Sequence, residues 1–132
     1  MTFPIIQSSF YLDTASVDPD ACTVYLGLQP TKIVKKADPF IKAKGGISRN
    51  SWQIDTERQH LLSLNQSIEP LLEALWPVRQ KVIEFCRQHD LSCIFVSVVW
   101  EGTEQTQPAY DLSQEAVSRI AAFEASWNMD IM

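Results

Sequence analysis

The sequence predicts an α+β fold, a two-layer sandwich of about four mainly antiparallel strands with helices packed on one face. Two kinds of pattern predict it. Residues 5–13 mix β-branched and aromatic side chains with polar ones, residues 48–55 alternate, and residues 91–100 are apolar on both faces, as strands are. Residues 59–89 and the segment after Leu112 instead carry apolar side chains at helical spacing. A chain of 132 residues can bury one core of this kind, so we expect a single domain over 1–132.

The first elements follow from residue types with known positional preferences. After the strand at 5–13, Asp18 can cap a short helix, Pro19 suits its first position, and Gly27 can end it. Residues 31–47 show no convincing period and predict a loop or a ragged edge hairpin. Residues 48–55 alternate, with Trp52 and Ile54 on one face, which indicates a half-buried strand.

The main helical region is predicted at about 59–89, with a break. Its apolar stripe consists of Ile68, Leu71, Leu72, Leu75, Val78, Val82 and Phe85. Pro77 interrupts the stripe, and a residue that precedes proline is disfavoured at helical angles. We therefore expect a kink or two helices meeting near Trp76 and Pro77, with Trp76 outside the helical region of backbone angles.

The last third of the chain predicts a strand, a turn, a helix and a final strand. Residues 91–100 are apolar on both faces, which is typical of an interior strand. A polar turn follows at 101–108, and Ser113 is placed to cap the closing helix. Residues 129–132 alternate and are predicted as a short last strand.

Charge is distributed unevenly along the chain. The net charge is −5, which argues against a nucleic-acid-binding surface, because such binding depends on neutralising phosphates. Residues 32–49 nevertheless hold six basic residues against one acid. This segment either steers a partner or anion or is a solvated lysine-rich loop. Trp52 follows it closely, as a core residue or as part of a recognition surface. The candidate partner- or anion-binding residues are Lys35, Lys36, Arg49 and Trp52.

The sequence predicts no catalytic residue, no metal site and no cofactor. The two histidines, His60 and His89, have no serine or cysteine nucleophile in a recognisable context. The three cysteines show no metal-ligand spacing and indicate reduced thiols in a cytoplasmic protein. No segment predicts a signal peptide or a membrane span.

Several segments in order resemble a known family. They are LGLQPT at 26–31, a lysine run with Asp38-Pro39, SWQID at 51–55, LSCIFVSVVW at 91–100, and the closing SQEAVSRIAAF and MDIM. Together they resemble the bacterial domain-of-unknown-function family 4279 over nearly the whole chain. The resemblance implies no activity, cofactor or catalytic residue.

Two classes of function remain open from the sequence. The first is a non-catalytic interaction module that binds a protein partner or its own copy, as a homodimer, through the sheet edge and basic segment. An immunity protein that blocks a toxin domain is one form of it. The alternative is a small-molecule-binding protein or enzyme with a pocket between sheet and helices. Its polar candidates are Tyr11, Arg49, Tyr110 and Asp111. The sequence favours the first class.

Overall fold

The computed structural model describes residues 4–35, 50–101 and 110–132. The strands are β1 (Ile5–Ala15), β2 (Lys32–Val34), β3 (Asn50–Asp55), β4 (Gln59–His60), β5 (Cys93–Trp100) and β6 (Ser126–Ile131). The helices are α1 (Pro19–Leu26), α2 (Leu64–Leu75), α3 (Arg79–His89) and α4 (Gln114–Ala122), and a 3₁₀ turn, Trp76–Val78, joins α2 to α3.

The strands form one open sheet in the order β2-β3-β1-β5-β6, and β4 also pairs with β1. Among the described strands, every pairing is antiparallel except that of β5 with β6, which is parallel. The α+β class and the mainly antiparallel sheet are therefore confirmed. The predicted number of about four strands is wrong, because the described residues form six. The two additional strands, β2 and β4, have three and two residues, which is too short for a periodic pattern.

Helix α1 forms as its cap residues predict. The Asp18 side chain accepts a hydrogen bond from the Asp20 backbone N–H at 2.9 Å, and Pro19 occupies the first turn. Gly27 ends the helix in the left-handed region at φ +70°, and its N–H donates to the Thr23 carbonyl. Glycine adopts this conformation without the steric cost that a Cβ adds.

The long helical region begins later than predicted and is broken where predicted. Ser63 caps α2, accepting from the Gln66 N–H, so the preceding residues are free to form β4. The 3₁₀ turn at Trp76–Val78 confirms the break. Trp76 itself stays at helical angles, φ −54° and ψ −45°, so that expectation is wrong. The chain leaves helical geometry at Val78 instead, while the Trp76 ring packs edge-on against Phe123.

The last helix belongs to the layer of helices that packs on the sheet, and the last strand forms one edge of the sheet. Ser113 caps α4 as predicted, accepting from the Ala116 N–H at 3.1 Å. β6 begins at Ser126, three residues before the predicted start, and runs parallel to β5.

The core lies between one face of the sheet and the helices. Aromatic rings from three strands meet a ring that follows α4: Phe10 on β1, Trp52 on β3, Phe95 on β5 and Phe123. Apolar residues of α1, α2, α3 and α4 close this layer, and Ile6, Leu64 and Val99 form a smaller cluster. Within the described ranges, the helices thus cover one face of the sheet, as the predicted sandwich requires.

Candidate interaction surface

The face of the sheet that points away from the helices carries an apolar row on β5. Side chains alternate along a strand, and the buried members of β5 are Cys93, Phe95, Ser97 and Val99. The alternate members, Ile94, Val96, Val98 and Trp100, point to the opposite face and are half-buried. We call this face, over the described strands, the open face.

Polar and acidic residues border the apolar row. The β1–β5 register places Tyr11 beside Ile94 and Ser9 beside Val96. On the other side, β6 places Asp130 beside Val98. Strand β3 adds Asp55, which is paired with Ser9. The open face therefore combines an apolar centre with a tyrosine and carboxylates, a composition that suits contact with a protein carrying apolar and basic groups.

Tyr11 keeps its proton on this surface. Burial raises the pKa of its hydroxyl above the ordinary value, and the charges of Asp55 and then Asp130 raise it further. A hydrogen bond with Ser9 acts in the opposite direction. The Asp55 carboxylate is held in place by the Gln53 side-chain amide, which donates to it at 2.6 Å. Tyr11 thus presents a neutral hydroxyl beside a fixed carboxylate.

Trp100 ends the apolar row with a cation against its ring. The Arg58 guanidinium carbon lies 4.4 Å from the centre of the Trp100 ring, a cation–π distance. Trp and Arg are the residue types that contribute most often to the strongest contacts of protein interfaces. This end of the open face therefore has the chemistry of an interface anchor.

Of the four sequence-predicted site residues, the structure describes Lys35 and Trp52. Lys35 follows the edge strand β2 and is paired with Asp20 at 2.6 Å and Asp18 at 3.8 Å. The hydrogen bond to Asp20, followed by the charges of both acids, raises the pKa of the Lys35 ammonium. Lys36 and Arg49 lie outside the described residues.

Trp52 is a core residue. Its side chain is 0 % exposed, and its indole N–H donates to the Thr23 hydroxyl at 2.9 Å. The ring packs edge-on against Phe10. Of the two interpretations that the sequence left open, the structure shows the first. The assignment of Trp52 to a recognition surface is corrected, because a fully enclosed ring cannot contact a partner.

A cavity of about 330 Å³ lies between α2 and the β3–β4 connection. Ser67, Pro70 and Leu71 line it from the helix. Ile54 of β3 and Thr56 of the connection line it from the side of the sheet. Pro70 has no N–H, so the Gln66 carbonyl lacks the hydrogen-bond donor that an α-helix normally supplies four residues later. Apolar and polar residues thus line the cavity together.

A chain of buried hydroxyl groups crosses the core behind this cavity. The Ser8 hydroxyl contacts those of Ser67 at 2.8 Å and Ser97 at 2.9 Å. The Trp127 indole N–H donates to the Ser97 oxygen at 3.2 Å. These bonds satisfy polar groups that would be costly to bury alone. The network links α2, β1, β5 and β6.

The three cysteines are buried, free thiols. Burial raises the pKa of Cys22 to about 12. The pKa of Cys93 is raised by its hydrogen bond with Cys86 and by burial.

Across residues 4–35, 50–101 and 110–132, His, Cys, Asp and Glu form no group of three able to hold a metal ion. In the same ranges, none of the helices has the length and apolar character to span a membrane.

Comparison with known proteins identifies the family. The family model described as a domain of unknown function, DUF4279, matches residues 5–132. The chain belongs to this family. The match extends from β1 through β6 and so takes in both the open face and the cavity. No curated protein and no solved structure gives a significant match.

Proposed function

We propose that this DUF4279 protein is a non-catalytic interaction module that binds a protein partner through the open face. The observation that supports the proposal is the apolar row on β5, half-buried on a face where no described helix packs. An antiparallel sheet with one solvated face normally carries polar residues there. Four consecutive outward positions of β5 instead hold Ile94, Val96, Val98 and Trp100.

Charge indicates the chemistry of the partner. Asp55 and Asp130 border the apolar row, and the whole chain carries a net charge of −5. Complementary charge accelerates association and excludes partners of like charge. We therefore propose a basic protein as the partner. In the immunity form of this function, the module binds a basic toxin domain and blocks its active surface.

The basic segment supplies a second proposed contact. Lys35 lies at the β2 edge of the sheet, but its charge is already offset by Asp20 and Asp18. Lys36 and Arg49 stay proposed partner- or anion-binding residues on the strength of the sequence pattern alone. The open face carries the proposal without them.

Partner binding by a face variant tests the proposal. The wild-type chain, Val96→Glu and the control Val117→Glu are immobilised and compared for partner capture from cells that produce the protein. Val117 is 53 % exposed on α4, away from the open face, so the control makes the same chemical change elsewhere. Circular dichroism verifies that each variant folds.

We expect Val96→Glu to weaken partner affinity at least about ten-fold, the effect of losing roughly 1.4 kcal/mol. A glutamate at position 96 would bury an unpaired charge in the apolar centre of the contact, whereas a glutamate at position 117 would stay in solvent. Equal capture by all three chains would contradict the proposal.

A small-molecule-binding function is the second candidate, and the cavity beside α2 favours it. Its volume of about 330 Å³ falls at the lower end of the range of ligand pockets, about 300–1,000 Å³. It lies between sheet and helix, where such a pocket is expected from the sequence. A native mass spectrum of the purified chain that retains an organic ligand would support this function over the interaction module.

A further inference from the structure

We infer that β6 pairs antiparallel with β6 of a second copy of this chain, so that two sheets join edge to edge around a twofold axis. The inference concerns a surface other than the apolar row and goes beyond the proposed binding of a basic partner. Four observations carry it: the directions of the β6 backbone groups, the contrast between the two sheet edges, the match of β6 to itself, and two exposed apolar side chains.

One side of the β6 backbone directs its N–H and C=O groups away from β5, and none of the described strands pairs with them. Val99 pairs with Ile131, and the Met132 N–H donates to the Val99 carbonyl at 2.8 Å. Residues of a strand direct their backbone groups alternately to one side and the other. Asn128 and Asp130 therefore face β5 as Met132 does, whereas Trp127, Met129 and Ile131 direct their N–H and C=O groups away from it. Among the described residues, no strand pairs with that side of β6.

The two edge strands, β2 and β6, differ in how well they are protected against pairing with a strand of another chain. The β2 edge is three residues long, carries exposed Lys32 and is followed by Lys35, and short strands with lysines are the usual defence against edge pairing. The β6 edge is six residues long and contains no lysine, no proline and no bulge. A strand edge of this kind is a ready template for another strand.

The sequence of β6 matches itself in one antiparallel register. When the twofold axis passes through Met129, Met129 faces its own copy and Trp127 faces Ile131 of the second copy. On the opposite face of the sheet, the Asn128 side chain lies beside Asp130 of the second copy. The amide can donate a hydrogen bond to the carboxylate. A register shifted to pair Asp130 with itself would oppose two like charges, so the register centred on Met129 is preferred.

The apolar groups at this edge support a contact between copies. Ile131 is 50 % exposed and Met132 is 70 % exposed. Trp127 and Met129 pack partly against the Ile6, Leu64 and Val99 cluster, which leaves their outer edges half-covered. In the paired arrangement, Ile131 of each copy would cover Trp127 of the other and remove apolar surface from water.

Sedimentation velocity over a range of concentrations tests the inference. The variants are Met129→Pro and Ile131→Lys, with Val117→Lys as the matched control at a site of similar exposure, 53 % against 50 %. Proline at Met129 removes an outward N–H and no bond to β5, a position where edge strands tolerate it. If Met129→Pro fails to fold by circular dichroism, Ile131→Lys decides the outcome.

We expect the wild type and Val117→Lys to shift with concentration toward twice the chain mass of 15.0 kDa. Both β6 variants should stay monomeric, or dimerise at least about ten-fold more weakly. A wild type that is monomeric up to about 1 mM, or dimers that Ile131→Lys leaves intact, would overturn the inference. Neither result affects capture of a basic partner by the open face, and loss of capture in Val96→Glu would leave the dimer intact.

Discussion

At the scale of single residues, the buried thiols are the groups whose ionisation is tied most directly to folding. Cys22 lies on the buried side of α1, is 0 % exposed and packs in the main core. Burial raises its pKa to about 12, because a thiolate has no water or cation to stabilise it there. The folded protein therefore holds the Cys22 proton more tightly than the unfolded chain does.

This difference predicts a loss of stability in alkali. The contribution of Cys22 is fully present below about pH 9, the ordinary pKa, and is lost as the pH rises toward about 12. From pH 9 to pH 10, Cys22 alone should lower the free energy of unfolding by about 1 kcal/mol. Urea unfolding of the wild type and of Cys22→Ala at both pH values measures it. The variant should lose less stability over that interval, and parallel losses would contradict the assignment.

Residue-level sequence reasoning succeeded where the decisive contact is local. Asp18 and Ser113 cap helices by bonding backbone groups two or three residues away, so their types and positions suffice to predict them. Trp52 was ambiguous, because its neighbours in sequence are basic while its neighbours in space are Phe10 and Thr23. Those contacts depend on strand pairing, which no local pattern specifies.

At the scale of elements, the long apolar stripe correctly predicts the helices α2 and α3. The two shortest strands, β2 and β4, were not predicted. The apolar stripe of α2 and α3 and the break at Pro77 follow from spacing and from proline stereochemistry. β4 has two residues and exists only because it pairs with the start of β1. A strand defined by its partner cannot be recognised from its own residues.

Substitution of Gly27 tests how much the glycine that ends α1 contributes to the stability of the fold. Gly27 has φ +70°, and a Cβ added there would meet nothing within 4 Å. Gly27→Ala should therefore lower the free energy of unfolding by about 1 kcal/mol through backbone strain alone. Gly27→Asn should cost less, since asparagine tolerates the left-handed region. Urea unfolding at neutral pH measures both, and an alanine variant as stable as the wild type would refute the cap assignment.

At the scale of the whole molecule, the described helices pack on one face of the sheet, and none of them packs on the other. The apolar residues on both sides of β5 correctly predicted an interior strand, lying between β1 and β6. The predicted sandwich has helices on one face only, and the described helices do cover one face. The sequence does not show which side of β5 the helices cover, because both sides of the strand are largely apolar.

Hydroxyl-radical footprinting of the protein, alone and with its captured partner, measures which face is used. Tyr11 and Trp100 lie on the open face, while Tyr25 is 37 % exposed on α1 and serves as the internal reference. Binding through the open face predicts that oxidation of Tyr11 and Trp100 falls several-fold in the complex while that of Tyr25 is unchanged. Unchanged oxidation of Tyr11 and Trp100 in a saturated complex would contradict it.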